Sequence, residues 1–325
     1  MNKNILESLR FGARSWKLWI LLVSLLVAVI IPHLLPRYPI HLLNLFLIGC
    51  LFALSYNILL GNTGLLSFGH AAYFGLGAYG VALLMKKAGI HYFLAIPMSL
   101  IITGIIAAII GYFCSRVVAM SFAILTLAFG ELLFTIASKW YTFTGGDDGI
   151  QSVYPPSIIA SSARFYYFTL IVVTLASITI WRIFHSPFGY TLQCIRDNRP
   201  KSESIGINVR RYQWMAFIIS GIFAGLAGSL SVTLNWTVAP TEMGWVKGGE
   251  PLVMTIVGGQ YVFGGPIIGA AIFTFFQFFV GQITLYWALV IGIVLALVVR
   301  FLPGGIGGYI QERMAIKRQT LSSGV

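Results

Sequence analysis

Charge is what this chain has least of. Only 9% of its 325 residues are Asp, Glu, Lys or Arg, where a soluble domain carries about a quarter. Water alone does not solvate a surface so poor in charge, so a soluble globular domain is excluded and a lipid bilayer is the expected solvent. Acids are scarcest: nine Asp and Glu stand against 21 Lys and Arg, a net charge of +12. The cations lie between apolar segments, as in the cytoplasmic loops of membrane proteins, and not on a basic face built for nucleic acid. Cysteine is limited to Cys50, Cys114 and Cys194 with no CxxC pair, so neither a disulfide framework nor a zinc site is implied. A GxxxxGK[ST] loop is also missing, so ATP-driven action would need a partner. Gly75 to Gly80 spells GxGxxG, but no strand precedes it and no acidic residue occurs between Glu7 and Glu131, which excludes a dinucleotide fingerprint. No catalytic constellation is present, and no catalytic or metal-binding residue is assigned.

What fills the chain is apolar sequence, 58% of all residues. Apolar segments run roughly over 18–35, 40–60, 64–85, 92–114, 117–138, 166–184, 212–235, 251–264, 266–282 and 284–301. The expected fold is an all-α integral membrane domain spanning 1–325, with about ten crossings (eight to ten, because 64–85, 251–264 and 266–282 are short or broken by glycine). The run at 18–35 follows Lys3, Arg10, Arg14 and Lys17 like a signal peptide, but it is long and lacks a small-residue cleavage site, so it reads as a retained first helix. With residues 1–17 inside, 15 of the 21 Lys and Arg fall in inside loops and 6 outside, which favours both termini, 1–17 and 303–325, in the cytoplasm. Lys86 and Lys87 fall on the wrong side of that count; a re-entrant first Gly-rich segment or snorkelling side chains would account for them. Two loops are long. The external one, 139–165, carries Thr144-Gly145-Gly146-Asp147-Asp148-Gly149, and the cytoplasmic one, 185–211, is the most charged stretch of the chain.

The segment from Gly61 to His70 is Gly-rich and dotted with polar residues, and Gly258-Gly259-Gln260 with Gly264-Gly265-Pro266 breaks a second segment late in the chain. Irregular backbone survives at membrane depth only where protein or a water-filled cavity surrounds it. Paired breaks of this kind mark transporters with discontinuous helices, and close helix packing is the other reading. Gly221, Ala224, Gly225 and Gly228 form interleaved small-xxx-small pairs, a contact face either inside the protein or toward another subunit. Glu131 sits in the middle of an apolar segment, where a charge costs about 2.5–3.5 kcal/mol. It and His70 are either functional or hydrogen-bonded packing residues. The candidate translocation-pathway residues are thus Asn62, Ser67, His70, Glu131, Gly258, Gly259 and Gln260. Glu242, Lys247 and Glu250 flank the outer end of a crossing, and Asp147 with Asp148 lie in the external loop; either group could meet a solute or a delivery protein, and ordinary solvated loops explain both more simply.

The stretch Asn62-Thr63-Gly64-Leu65-Leu66-Ser67-Phe68-Gly69-His70-Ala71-Ala72-Tyr73-Phe74-Gly75 resembles the hallmark early segment of permeases of the branched-chain amino acid ABC importer family, specifically the LivM-like half, with urea-type permeases as near kin. Thr144 to Ile150 is similar to that family's outer TGG loop. Phe188-Gly189-Tyr190 with Ile195-Arg196-Asp197-Asn198, then Gly206 and Ala216 to Gly228, is similar to its coupling loop and following helix. Gly258 to Ala270 and Pro303 to Gly308 resemble its late Gly-rich segments. Glu203-Ser204-Ile205-Gly206 departs from the usual coupling-loop pattern. The resemblance implies an ABC importer permease fold in the bacterial inner membrane. It implies a homologous second permease, two cytoplasmic ATP-binding subunits that hold ATP and Mg, and an extracytoplasmic solute-binding protein. It also implies a coupling loop at Arg196, Asp197, Asn198, Arg199, Glu203 and Gly206, and import of branched-chain or other hydrophobic amino acids by alternating access. This chain itself would carry no cofactor. A urea or short-amide importer permease is the alternative within the same family, and an ion-coupled secondary carrier or a passive small-solute channel are the competing classes; few intramembrane carboxylates and a long basic inner loop favour the importer over those two.

Overall fold

The computed structural model describes residues 32, 36–117, 119–284, 286–302, 304–309 and 313. The expected first crossing at 18–35 lies outside the described residues except for Pro32, as does most of 303–325. The described helices are α1 (Arg37–Thr63), α2 (His70–Lys86), α3 (Tyr92–Cys114), α4 (Ala119–Lys139), α5 (Ser162–Phe184), α6 (Pro187–Asp197), α7 (Arg199–Ser204), α8 (Val209–Asn235), α9 (Trp245–Gly258), α10 (Gly265–Ile283) and α11 (Trp287–Phe301). Six of them, α1, α3, α4, α5, α8 and α10, are long and apolar enough to cross a membrane. Helices α2 and α11, at 17 and 15 residues, are shorter than the segments expected there, and α9 has the expected 14.

Helix α3 shows how the sequence is matched to lipid. Ala95, Ser99, Thr103, Ala107 and Gly111 recur every fourth residue and are buried, while Leu94, Met98, Ile101, Ile105 and Ile109 on the other side are exposed. Small and polar residues face protein and bulky aliphatic ones face outward, the reverse of a soluble helix. The centre of the bundle is α1 and α8. In each, 67% of the most apolar stretch is buried, against 28% in α3, α4 and α10.

Helix α8 packs on α1, α2 and α3. Its small-residue pairs are used inside the subunit: a methyl group at Gly228 would lie 1.8 Å from the carbonyl oxygen of Phe74 on α2, and Gly225 and Gly221 receive Thr103 and Ala107 of α3. The backbones therefore approach as closely as missing side chains permit. The two-residue strands β1 (Ile150–Gln151) and β2 (Thr237–Val238) pair antiparallel and tie the long 139–165 loop to the end of α8.

The expected 64–85 segment is not one helix. Helix α1 stops at Thr63, where Gly64 takes φ +68° and Gly64 and Leu65 donate to the carbonyls of Leu60 and Leu59, an αL stop that a residue with Cβ adopts poorly. Residues 64–69 are irregular and α2 starts at His70. The late segment is likewise displaced: α9 begins at Trp245, six residues before the apolar run expected at 251, and ends at Gly258. Hydropathy misplaces it because its first turns carry Lys247 and Glu250, which pair with each other.

Candidate functional site

Two chambers open at opposite ends of α1 and α9. One, called outer after the side that the cation count assigns to it, is about 250 Å³ and is bounded by residues 42–52 of α1, Phe74 of α2, Ser231 and Asn235 of α8, the start of α9, and Phe273 to Phe278 of α10. The inner one, about 330 Å³, is bounded by Asn62, Phe184, His185, Tyr190, Gln193, Arg196 and residues 260–263. Ten residues of α1, from Phe52 to Asn62, separate the two linings, about 15 Å along the helix. The layer between them is closed. Ala53, Ser55 and Tyr56 have no exposed surface, and Thr255 Oγ1 donates to the Ala53 carbonyl oxygen at 3.4 Å, tying α9 to α1.

Glu242, Lys247 and Glu250 make the charged end of the outer chamber. Lys247 Nζ stands 2.8 Å from Glu250 Oε2 and 3.7 Å from Glu242 Oε2, and lies 5.5 Å from the centre of the Phe74 ring. Glu242 Oε2 is buried without a hydrogen-bond donor among the described residues. The α1 part of the lining is apolar, with Leu42, Leu45, Ile48 and Phe52, and α10 adds Phe273 together with the polar Thr274 and Gln277.

The inner chamber is polar. Asn62 Nδ2 on its lining, and the Asn57 amide and Ser67 Oγ on the same stretch of chain, are buried with no hydrogen-bond partner among the described residues. Native proteins leave few such groups. Arg196, at the end of α6, donates to the Gly61 carbonyl oxygen, places its guanidinium 5.1 Å from the Tyr261 ring and pairs with Asp197 at 2.8 Å. One side chain thus touches the end of α1, the late irregular segment and the cytoplasmic-loop helices. Those helices are defined by caps: the Ser186 hydroxyl accepts from the Gly189 amide, the Asn198 side chain from Lys201, and the Asn208 side chain from Arg211, with Pro187 and Pro200 in the first turns of α6 and α7. Arg199 pairs with Glu203 along α7 at 3.1 Å, and Gly206 takes φ +88° after it.

The seven candidate pathway residues do not form one cluster. Asn62 and Gln260 share the inner chamber. Ser67 is fully buried. His70 is fully buried at the start of α2, with Nε2 3.0 Å from Ser55 Oγ and its ring stacked on Phe52 at 5.6 Å, so it lines neither chamber. The Glu131 carboxylate accepts from the Trp245 backbone N–H at 3.1 Å, capping α9 where an anion meets the positive end of a helix. Gly258 and Gly259 are contact points. A methyl at Gly258 would meet the Gly265 carbonyl oxygen at 1.9 Å, and Gly259, at φ +106°, faces Gly304. The two broken segments also meet directly, since a methyl at Gly248 would lie 2.7 Å from the Phe68 carbonyl oxygen. The outer triad, 5 residues from Glu242 to Lys247 and 3 on to Glu250, was visible as charges. That it faces a cavity was not, because α1 and α10 supply the other walls.

The sequence model of the family described as branched-chain amino acid transport system, permease component, matches residues 38–299. The high-affinity branched-chain amino acid transport system permease protein LivM of Escherichia coli is 25% identical, over 91% of this chain and 76% of its own length. The protein of the same name from Salmonella typhimurium is 23% identical over the same shares. The autoinducer 2 import system permease protein LsrC of Salmonella choleraesuis is 25% identical over 56% of this chain and 53% of its own. No solved structure matches.

Proposed function

Because the chain belongs to the branched-chain amino acid transport permease family, we propose that it is the membrane-spanning subunit of an ATP-driven importer of branched-chain or other hydrophobic amino acids, working by alternating access. The observation that carries this reading is the pair of chambers at the two ends of α1 and α9, separated by a closed layer. A carrier that is open to one side at a time needs two vestibules and a seal, and the two broken segments are in contact, Gly248 of α9 against the Phe68 carbonyl oxygen just before α2. The chain would have about ten crossings with both ends cytoplasmic, in a bacterial inner membrane. It would pair with a homologous permease, receive solute from an extracytoplasmic binding protein and, in a complex with two ATP-binding subunits, dock one of them through α6 and α7. ATP and Mg would be held by those subunits, since this chain has no P-loop.

The direct test is uptake into proteoliposomes. The chain alone should carry no leucine. The chain with its genomically neighbouring second permease, ATPases and binding protein should accumulate leucine only when ATP is supplied, and leucine should outcompete urea and guanosine. Uptake by the chain alone would replace the importer with a channel or secondary carrier, and preferred uptake of urea or guanosine would overturn the amino-acid assignment.

A further inference from the structure

We propose that the outer chamber is a solute site that holds an α-amino acid as a zwitterion, with Lys247 on its carboxylate, Glu242 on its ammonium and the α1–α10 wall around an aliphatic side chain; this rests on the importer reading above. Three observations converge on it. First, three charges share one cavity wall inside an apolar bundle, where an ion is expensive and is kept only when it is paired or used. Second, the pairing is unequal. Lys247 is within hydrogen-bond distance of Glu250 at 2.8 Å but not of Glu242 at 3.7 Å, so Glu242 Oε2 is left as a buried acceptor without a donor. An ammonium group has three donors and fits that acceptor, and Lys247 keeps further N–H groups for a carboxylate. Third, the chamber has an apolar part. Beside the triad the lining carries Leu42, Leu45, Ile48 and Phe273, which would take a branched aliphatic side chain, with Thr274 and Gln277 next to Phe273 on α10. The volume of about 250 Å³ suits a small solute better than one of drug size, for which pockets run to about 300–1,000 Å³.

The test uses the complete complex in proteoliposomes, with Cys194→Ser to remove the exposed cysteine and Gln277→Cys on the chamber wall. A membrane-impermeant maleimide added outside reports access to the chamber. Leucine is expected to slow labelling about tenfold, whereas isoamylamine, which lacks the carboxylate, and 4-methylpentanoate, which lacks the ammonium, leave the rate unchanged. Lys247→Met should abolish protection by leucine, measured against that variant's own unprotected labelling rate, and Lys247→Arg, which keeps a cation between Glu242 and Glu250, should restore part of it. Equal protection by isoamylamine would make this a cation site and overturn the zwitterion. Absence of protection by leucine, or protection that survives Lys247→Met, would overturn the site itself. ATP-driven leucine uptake by the wild-type complex is followed in parallel. Uptake without protection removes this site and leaves the importer standing, whereas no uptake of any amino acid removes the importer reading and the site with it.

Discussion

Single residues in this bundle divide into those that a neighbour defines and those that nothing touches, and glycine shows both. Gly228 sits against the carbonyl oxygen of Phe74, and Gly281 on α10 has nothing within 4 Å among the described residues. Gly228→Ala therefore forces α2 and α8 apart and should cost about 1–3 kcal/mol, while Gly281→Ala should change stability by less than about 1 kcal/mol. Thermal melts of the detergent-solubilised chain would separate the two, and equal melting points would mean that the α2–α8 contact is not a close one. Glu131 separates the competing mechanisms. As an acceptor for the Trp245 N–H it works through an oxygen, which glutamine also has. Glu131→Gln should therefore keep ATP-driven uptake within about twofold, while Glu131→Leu, which strips the start of α9 of its cap, should cost about 0.5–2 kcal/mol in the same melts. If Glu131→Gln abolished uptake, the carboxyl would have to titrate during transport, and an ion-coupled carrier would become the better reading. The sequence singled out Glu131 because an acid at that depth is conspicuous. Its partner lies 114 residues away and has no signal of its own, since any backbone N–H would serve.

At the level of elements, the uninterrupted crossings were legible and the broken ones were not. Segment 92–114 matches α3 residue for residue, and 212–235 lies within α8, because an apolar run in lipid forms a helix with its backbone satisfied internally. The breaks at Gly64 and Gly258 were visible as glycine, yet which side of each break remains helical depends on what packs there: α4 against Gly69, and Gly265 against Gly258. The caps Ser186, Asn198 and Asn208, each with the expected amide three residues on, could have been read directly as helix starts. They define α6 and α7 within the 185–211 loop, and Arg196 links that loop to both breaks. Arg196→Ala removes a charge-assisted hydrogen bond worth about 1.5–3 kcal/mol. If α6 and α7 dock the ATPases, the variant complex should still assemble and hydrolyse ATP, and leucine imported per ATP should fall several-fold. Loss of assembly would place Arg196 in the docking surface instead. Unchanged coupling would mean that force reaches α1 and α9 by another route. Replacing residues 196–206 with a neutral linker should remove ATPase association altogether, which co-purification of the subunits reads directly.

For the whole molecule, composition carried the class, because 9% charge in 325 residues leaves lipid as the only adequate solvent. It could not carry the chambers, whose walls combine residues as far apart as Leu42 and Phe278. Orientation is the global property on which the roles of both chambers depend. The cation count puts 185–211 inside and 139–165 outside, and the structure sets matching constraints. The 185–211 loop meets the end of α1 through Arg196, and Lys87 reaches the Thr142 carbonyl oxygen on the external loop at 2.5 Å. Lys86 and Lys87 thus lie on the external side in this arrangement, against the positive-inside trend, with Lys87 4.9 Å from the Phe143 ring. Cys50 and Cys114 are buried and Cys194 is exposed, so the native chain carries its own reporter. In intact cells an impermeant maleimide should leave Cys194 unlabelled until the membrane is opened, and in a Cys194→Ser background Asp148→Cys should label at once. The reverse pattern would place α6 and α7 outside, where no ATPase could reach them, and would turn the Lys247 chamber toward the cytoplasm. The two cysteines therefore decide, in one labelling experiment, whether the chamber proposed to receive solute faces the side from which an importer is loaded.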